Sequence, residues 1–107
     1  MKPFTQVEVG TWRSGKSRTI AHLSWPVDTL ADFAGLSLEP GEDDLDIFHR
    51  AALRLPSSRI LLLLHYAGNP PGVDVEADWA DDPSEALREL IDTVGLPMEI
   101  VDWHVGT

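Results

Sequence analysis

Arg59-Ile60-Leu61-Leu62-Leu63-Leu64-His65-Tyr66, then Gly68-Asn69-Pro70-Pro71-Gly72, then Val73-Asp74-Val75-Glu76-Ala77-Asp78-Trp79 is the stretch that decides the fold. The first segment is apolar at both parities, the pattern of a central strand buried on two faces. Glycine and proline make the middle segment a rigid turn. The last segment alternates without a fault, placing Val73, Val75, Ala77 and Trp79 on one face and Asp74, Glu76 and Asp78 on the other. The acids form a stripe expected at an edge of the molecule, and Trp79 is expected in the core.

Toward the carboxy terminus, Asp82-Pro83-Ser84-Glu85 combines an N-cap, a proline at the first helical position and a glutamate three residues after the cap. It opens a helix with Leu87, Leu90, Ile91 and Val94 inward and Gly95 as its stop. Met98 to Val105 reads as the last strand, with Val101, Trp103 and Val105 on a common, inward face.

Toward the amino terminus, Asp28 to Ala34 reads as a short helix with Leu30 and Phe33 inward and Gly35 ending it. Glu42 to Leu53 reads as a second helix, with Leu45, Phe48 and Ala52 on one stripe, acids Glu42-Asp43-Asp44 in its first turn, Arg50 and Arg54 at its end, and Pro56 beyond. Phe4 to Gly10 and Thr19 to Trp25 alternate as strands, the second with Ala21, Leu23 and Trp25 on one face. Arg13-Ser14-Gly15-Lys16 between them suits the reversal of a β-hairpin. The expected architecture is a single α+β domain over residues 1–107. Its elements run ββααββαβ, giving a mainly antiparallel five-stranded sheet with helices on one face. The two-sided burial of the central strand implies that the other sheet face is covered by a partner or a second copy, so a homodimer is one expectation.

Composition narrows the function. The chain has 107 residues, no cysteine and a formal net charge of −10. Lack of cysteine excludes disulfides and thiolate chemistry and fits a reducing compartment, so the cytoplasm is expected. The longest apolar run, Ile60 to Leu64, is far short of a membrane span. Residues 27–107 hold 17 acids against Arg50, Arg54, Arg59 and Arg88, whereas residues 1–26 hold only Glu8 against Lys2, Arg13, Lys16 and Arg18. A field of that sign repels nucleic acid and anionic membranes and attracts basic proteins.

Gly10-Thr11-Trp12-Arg13-Ser14-Gly15-Lys16-Ser17 matches the phosphate-loop pattern G-x-x-x-x-G-K-[ST], in which Gly10, Gly15, Lys16 and Ser17 would cradle a nucleotide. The flanks argue for the hairpin instead. The preceding strand alternates, Pro26 leaves little room for the required helix, and His65 stands where a magnesium-holding aspartate belongs. The four histidines, His22, His49, His65 and His104, have no HxH or HExxH spacing, although His22 and His104 could meet if the first hairpin pairs with the last strand. The cluster Glu42, Asp43, Asp44, Asp46 lacks the spacing of a calcium loop. No metal, cofactor or catalytic residue is therefore expected. Three acids at alternate strand positions commonly form a solvated face; the functional reading is recognition. Trp12 falls on the parity opposite Val7 and Val9, so it joins Asp74, Glu76 and Asp78, with Asp81 and Asp82 in the following turn, as an anchor for an Arg- or Lys-rich surface.

The carboxy-terminal third resembles the end of small immunity proteins of bacterial polymorphic-toxin systems. The resemblance rests on Val73-Asp74-Val75-Glu76, the acidic proline-containing turn, Ala86-Leu87-Arg88-Glu89-Leu90-Ile91-Asp92-Thr93-Val94-Gly95-Leu96-Pro97 and the strand ending Val101-Asp102-Trp103. It implies binding and neutralisation of a cognate toxin domain without catalysis. The alternatives are a small nucleotide-binding protein using Gly10 to Ser17 and a structural subunit that oligomerises through the sheet face.

Overall fold

A computed structural model describes residues 4–11, 16–42, 44 and 46–105. Its elements are β1 (Thr5–Val7), β2 (Ser17–Leu23), α1 (Val27–Ala34), β3 (Glu39–Glu42), β4 (Ile47–Arg54), β5 (Ile60–Tyr66), β6 (Val73–Asp78), α2 (Pro83–Val94) and β7 (Val101–His104), with 3-10 turns at Val9–Thr11 and Met98–Ile100. The seven strands form one antiparallel sheet in the order β1-β4-β5-β6-β2-β7, and β3 pairs with β4 alongside β1. The fold class is α+β, and among the described residues the sheet has seven strands where five were expected.

The doubly apolar strand β5 lies inside the sheet, between β4 and β6. Leu61 and Leu63 join Leu53, Val73, Val75 and Ala77 in the main core, against which Leu30 and Ala34 of α1 and Ala86, Leu87 and Leu90 of α2 pack. On the opposite face, Leu62 packs with Ala52 and Val9 and is flanked by Val7 and Ile60. One strand thus serves two apolar layers.

The expected helix over Glu42 to Leu53 is instead β3, β4 and the segment between them. The spacing of Phe48 and Ala52 suited a helical stripe, but Ala51, Ala52 and Leu53 are all buried, Ala51 and Leu53 opposite Leu63 and Leu61, and Ala52 opposite Leu62. A strand buried on both faces looks apolar at every parity, and short runs of that kind also satisfy a helical period. Leu45 and Asp43 lie outside the described residues.

Residues 4 to 25 do not form a hairpin. β1 pairs with β4, and β2 pairs with β6 and β7, so β4, β5 and β6 stand between the two strands. Central placement suits β2, whose Ile20, Ala21 and Leu23 are buried. A register shift between Thr19 and Ala21 lets Ile20 as well as Ala21 reach the core. The turn expected at Arg13 to Lys16 lies outside the described residues, apart from Lys16.

Both helices stop at a left-handed glycine, and α2 also begins at the cap its sequence supplies, whereas α1 starts at Val27 after Pro26 with no side-chain cap. The Asp82 carboxylate accepts from the Glu85 amide at 3.1 Å at the start of α2, and Gly95 closes the helix at φ 81° with its N–H donating to the Ile91 carbonyl at 2.9 Å. Gly35 closes α1 at φ 70°. Three aromatics expected inside are exposed: Phe33 at 52%, Trp79 at 55% and Trp103 at 51%. Phe33 stacks edge-on against half-buried Trp25 at 5.1 Å. Trp79 lies beyond the end of β6 under the Arg18 guanidinium, 4.2 Å from its ring centre, and Trp103 lies on edge strand β7.

Candidate functional site

Among the described residues, the helices cover one face of the sheet and leave most of the other open. Strand register places rows of side chains across that open face: Arg50, Leu64, Asp74, His22 and Trp103 in one row, and Ala52, Leu62, Glu76 and Thr19 in the next. Phe48 faces Tyr66 beside the first row. The 3-10 turn of Val9–Thr11 covers one end, with Val9 seated on Ala52 and Leu62. What remains is an open groove of about 360 Å³ lined by Val9, Gly10, Phe48, Arg50, Leu62, Leu64, Tyr66 and Glu76.

Glu76 is the distinctive group in this groove. It is half-buried, and burial first, then the neighbouring Asp74 carboxylate, pushes its pKa above the ordinary glutamate range. It has no hydrogen-bond or ion-pair partner among the described residues. The cation in the same groove is engaged through one terminal nitrogen: Arg50 donates to Glu39 at 3.3 Å and lies over the Phe48 ring at 4.8 Å, while its buried Nε has no hydrogen-bond partner among the described residues. Phe48 in turn meets Tyr66 edge-on at 5.5 Å.

His22 continues the surface toward β7. Its Nδ1 lies 3.1 Å from an Asp102 carboxylate oxygen, and His22 pairs with Trp103 in the β2–β7 register. Gly72 backs it at φ 143°, where a Cβ would collide with the imidazole and approach the Leu23 carbonyl to 2.9 Å. His22 and His104 do not face each other. His104 pairs with Ala21 and borders a shallow recess formed with α2, whereas His22 faces the open side. No group of three or more His, Cys, Asp or Glu side chains suited to a metal ion occurs among the described residues.

Of the acids singled out in the sequence, Asp74, Glu76 and Asp78 share the open face as expected, but β6 is an interior strand, and the stripe therefore crosses the sheet's middle. Asp78 also accepts from the Ala80 amide at 2.7 Å. Asp81 and Asp82 belong elsewhere. Asp81 lies 3.7 Å from the Arg59 Nε, and Asp82 is the cap of α2. Burial is the largest influence on Asp81 and raises its pKa, with Arg59 opposing and Asp78 and Glu89 adding to the rise. Trp12 and Gly15 lie outside the described residues. Gly10 falls in the 3-10 turn, Lys16 is exposed, and Ser17 begins strand β2 where a phosphate loop would open a helix.

The groove residues Phe48, Arg50 and Tyr66 and the His22–Asp102 pair were not anticipated from sequence. Strand parity puts Phe48, Arg50 and Ala52 on one face, but Phe48-His49-Arg50-Ala51 carries no apolar alternation that would have signalled that strand in the sequence. Comparison with known proteins gives no counterpart: no family model, curated protein or solved structure matches the chain.

Proposed function

We propose that this chain is an immunity-type inhibitor, a non-enzymatic binding protein that neutralises a basic toxin domain by covering it with the open face of its sheet. The observation that carries this reading is the placement of Asp74 and Glu76. Both lie half-buried on that face, and Glu76 has no cation beside it among the described residues. Most of the remaining acids near the sheet already have partners: Glu39 with Arg50, Asp46 with the Ile47 and Gly68 amides, Asp81, Glu85 and Glu89 with Arg59, and Asp102 with His22. Burying an unpaired carboxylate is unfavourable in the isolated protein, and a basic partner offsets that cost on binding.

Toxins that act on nucleic acids tend to have basic clefts, so an acidic cover gains steering toward the cleft and needs no reactive group. The described core holds no buried polar or charged residue, and the open face carries half-buried Tyr66 beside buried Phe48, Leu62 and Leu64. No described helix is long and apolar enough to cross a membrane. The test begins with a search for an adjacent reading frame that encodes a large secreted protein with a variable carboxy-terminal domain, and proceeds to co-expression with that domain. The expected results are a co-purifying complex and restored growth. A toxin domain that remains free and active in the presence of this protein contradicts the proposal.

A further inference from the structure

We propose that the groove over β5 receives one arginine side chain of the basic partner, its guanidinium paired with the Glu76 carboxylate and its stem lying along Leu62 and Leu64. This rests on the binding role of the open face and adds the identity of the group that enters it.

Three observations converge on arginine. First, the groove ends on a carboxylate without a cation among the described residues, beside a second acid, Asp74, two positions along the strand. Charge complementarity therefore asks for a cation. Second, Leu62, Leu64, Phe48, Val9 and Tyr66 line the groove beside Glu76, so a cation carried on an apolar stem gains contacts on its way to the carboxylate. Guanidinium is more weakly hydrated than ammonium and offers a planar fork to a carboxylate, which favours arginine over lysine. Third, the volume of about 360 Å³ is large enough for a long side chain. Arg50 does not fill the role. Glu39 and the Phe48 ring hold it at the opposite wall, and it shows that this aromatic floor accepts a guanidinium. A second copy of this chain would bring the same acids against Asp74 and Glu76, and a nucleic acid would bring phosphates.

The experiment is an NMR titration of the intact protein at pH 7.5 with N-acetyl-arginine amide, N-acetyl-lysine amide and N-acetyl-norleucine amide, repeated on Glu76→Gln. The expected result is that the arginine compound shifts the Leu62, Leu64 and Glu76 resonances and binds several-fold more tightly than the other two. Loss of one charge-assisted hydrogen bond should make Glu76→Gln bind it about tenfold more weakly. The Glu76 carboxyl pKa should also fall as the compound saturates the groove. Equal binding of all three amides, absence of binding, or indifference to Glu76→Gln each overturn the proposal. The partner complex separates this inference from the broader one. If Glu76→Gln leaves its dissociation rate unchanged while lysine substitutions elsewhere on the face weaken association, the acidic face binds the partner and the arginine site is wrong.

Discussion

Replacing Arg59 with methionine should destabilise the protein by about 2–3 kcal/mol at neutral pH, because this side chain is the fastener between the β4–β5 turn and α2. Arg59 reaches Glu89 at 3.1 Å, Glu85 at 3.3 Å and Asp81 at 3.7 Å. Its side chain is 22% exposed and that of Glu89 only 16%, so this pair is largely shielded from water. Glu85 is 63% exposed, where an ion pair adds little. The magnitude therefore rests on Glu89. Its carboxylate also accepts from the Ser57 hydroxyl at 2.6 Å and the Ser57 amide at 2.9 Å. Losing one partly buried, charge-assisted bond costs about 1.5–3 kcal/mol. Leaving three acids without their common cation places the total in the upper part of that range. Burial alone would raise the Glu89 pKa, but the bonds from Ser57 and Arg59 outweigh it and hold the carboxyl below the usual glutamate range. Stabilisation by a depressed carboxylate is present above its unfolded pKa and disappears as pH falls through the folded one. The defect should thus be full at pH 7 and shrink below about pH 4. Urea denaturation should show the midpoint falling by about 1–2 M at pH 7. Arg88→Met, on an exposed position of the same helix, is the control. A loss under about 0.5 kcal/mol at pH 7, within the range of ordinary surface changes, or a loss independent of pH, would refute the reasoning.

Two further substitutions probe the open face directly. Gly72→Ala places a Cβ at φ 143° against the His22 ring; it should cost about 2 kcal/mol and lower Tm by roughly 10 °C, and the NMR signature of the His22–Asp102 hydrogen bond should disappear. Glu76 has a raised folded pKa, so its contribution is present below the unfolded pKa and lost as pH rises through the folded one; Glu76→Gln should gain stability relative to the parent between pH 4 and 7, as read from denaturant midpoints at both pH values.

Strands β5 and β6 and helix α2 were legible because each carries a complete local signal: a doubly apolar run, an unbroken alternation, and a cap with proline and a closing glycine. Strand β4 was not, because Phe48 and Ala52 on one face and Ala51 and Leu53 on the other erase the alternation that marks a strand. Pairing was illegible for another reason. Nothing local to Thr5–Val7 or Ser17–Leu23 says that three strands will stand between them; that arrangement comes from the need to bury Ile20, Ala21 and Leu23. The same division applies to the site. Parity sufficed to bring Asp74 and Glu76 together, whereas the groove required β4 in its true register. Asp81 and Asp82 looked like part of the acidic face until Arg59 and the α2 amino terminus accounted for them.

The central claim is that the open face of the sheet, and not acidity in general, engages a basic partner. The most direct measurement is the association rate of that partner across a salt series, for the parent, for Asp74→Lys with Asp78→Lys, and for Asp28→Lys with Asp32→Lys. The last pair makes the same charge change on the exposed side of α1, across the sheet. The account predicts that association slows as salt rises, since exposed charges are screened beyond about 8 Å at physiological ionic strength. It also predicts that the Asp74 and Asp78 pair slows association roughly tenfold or more at low salt while the α1 pair has a much smaller effect. Equal rates for the two double variants would contradict it.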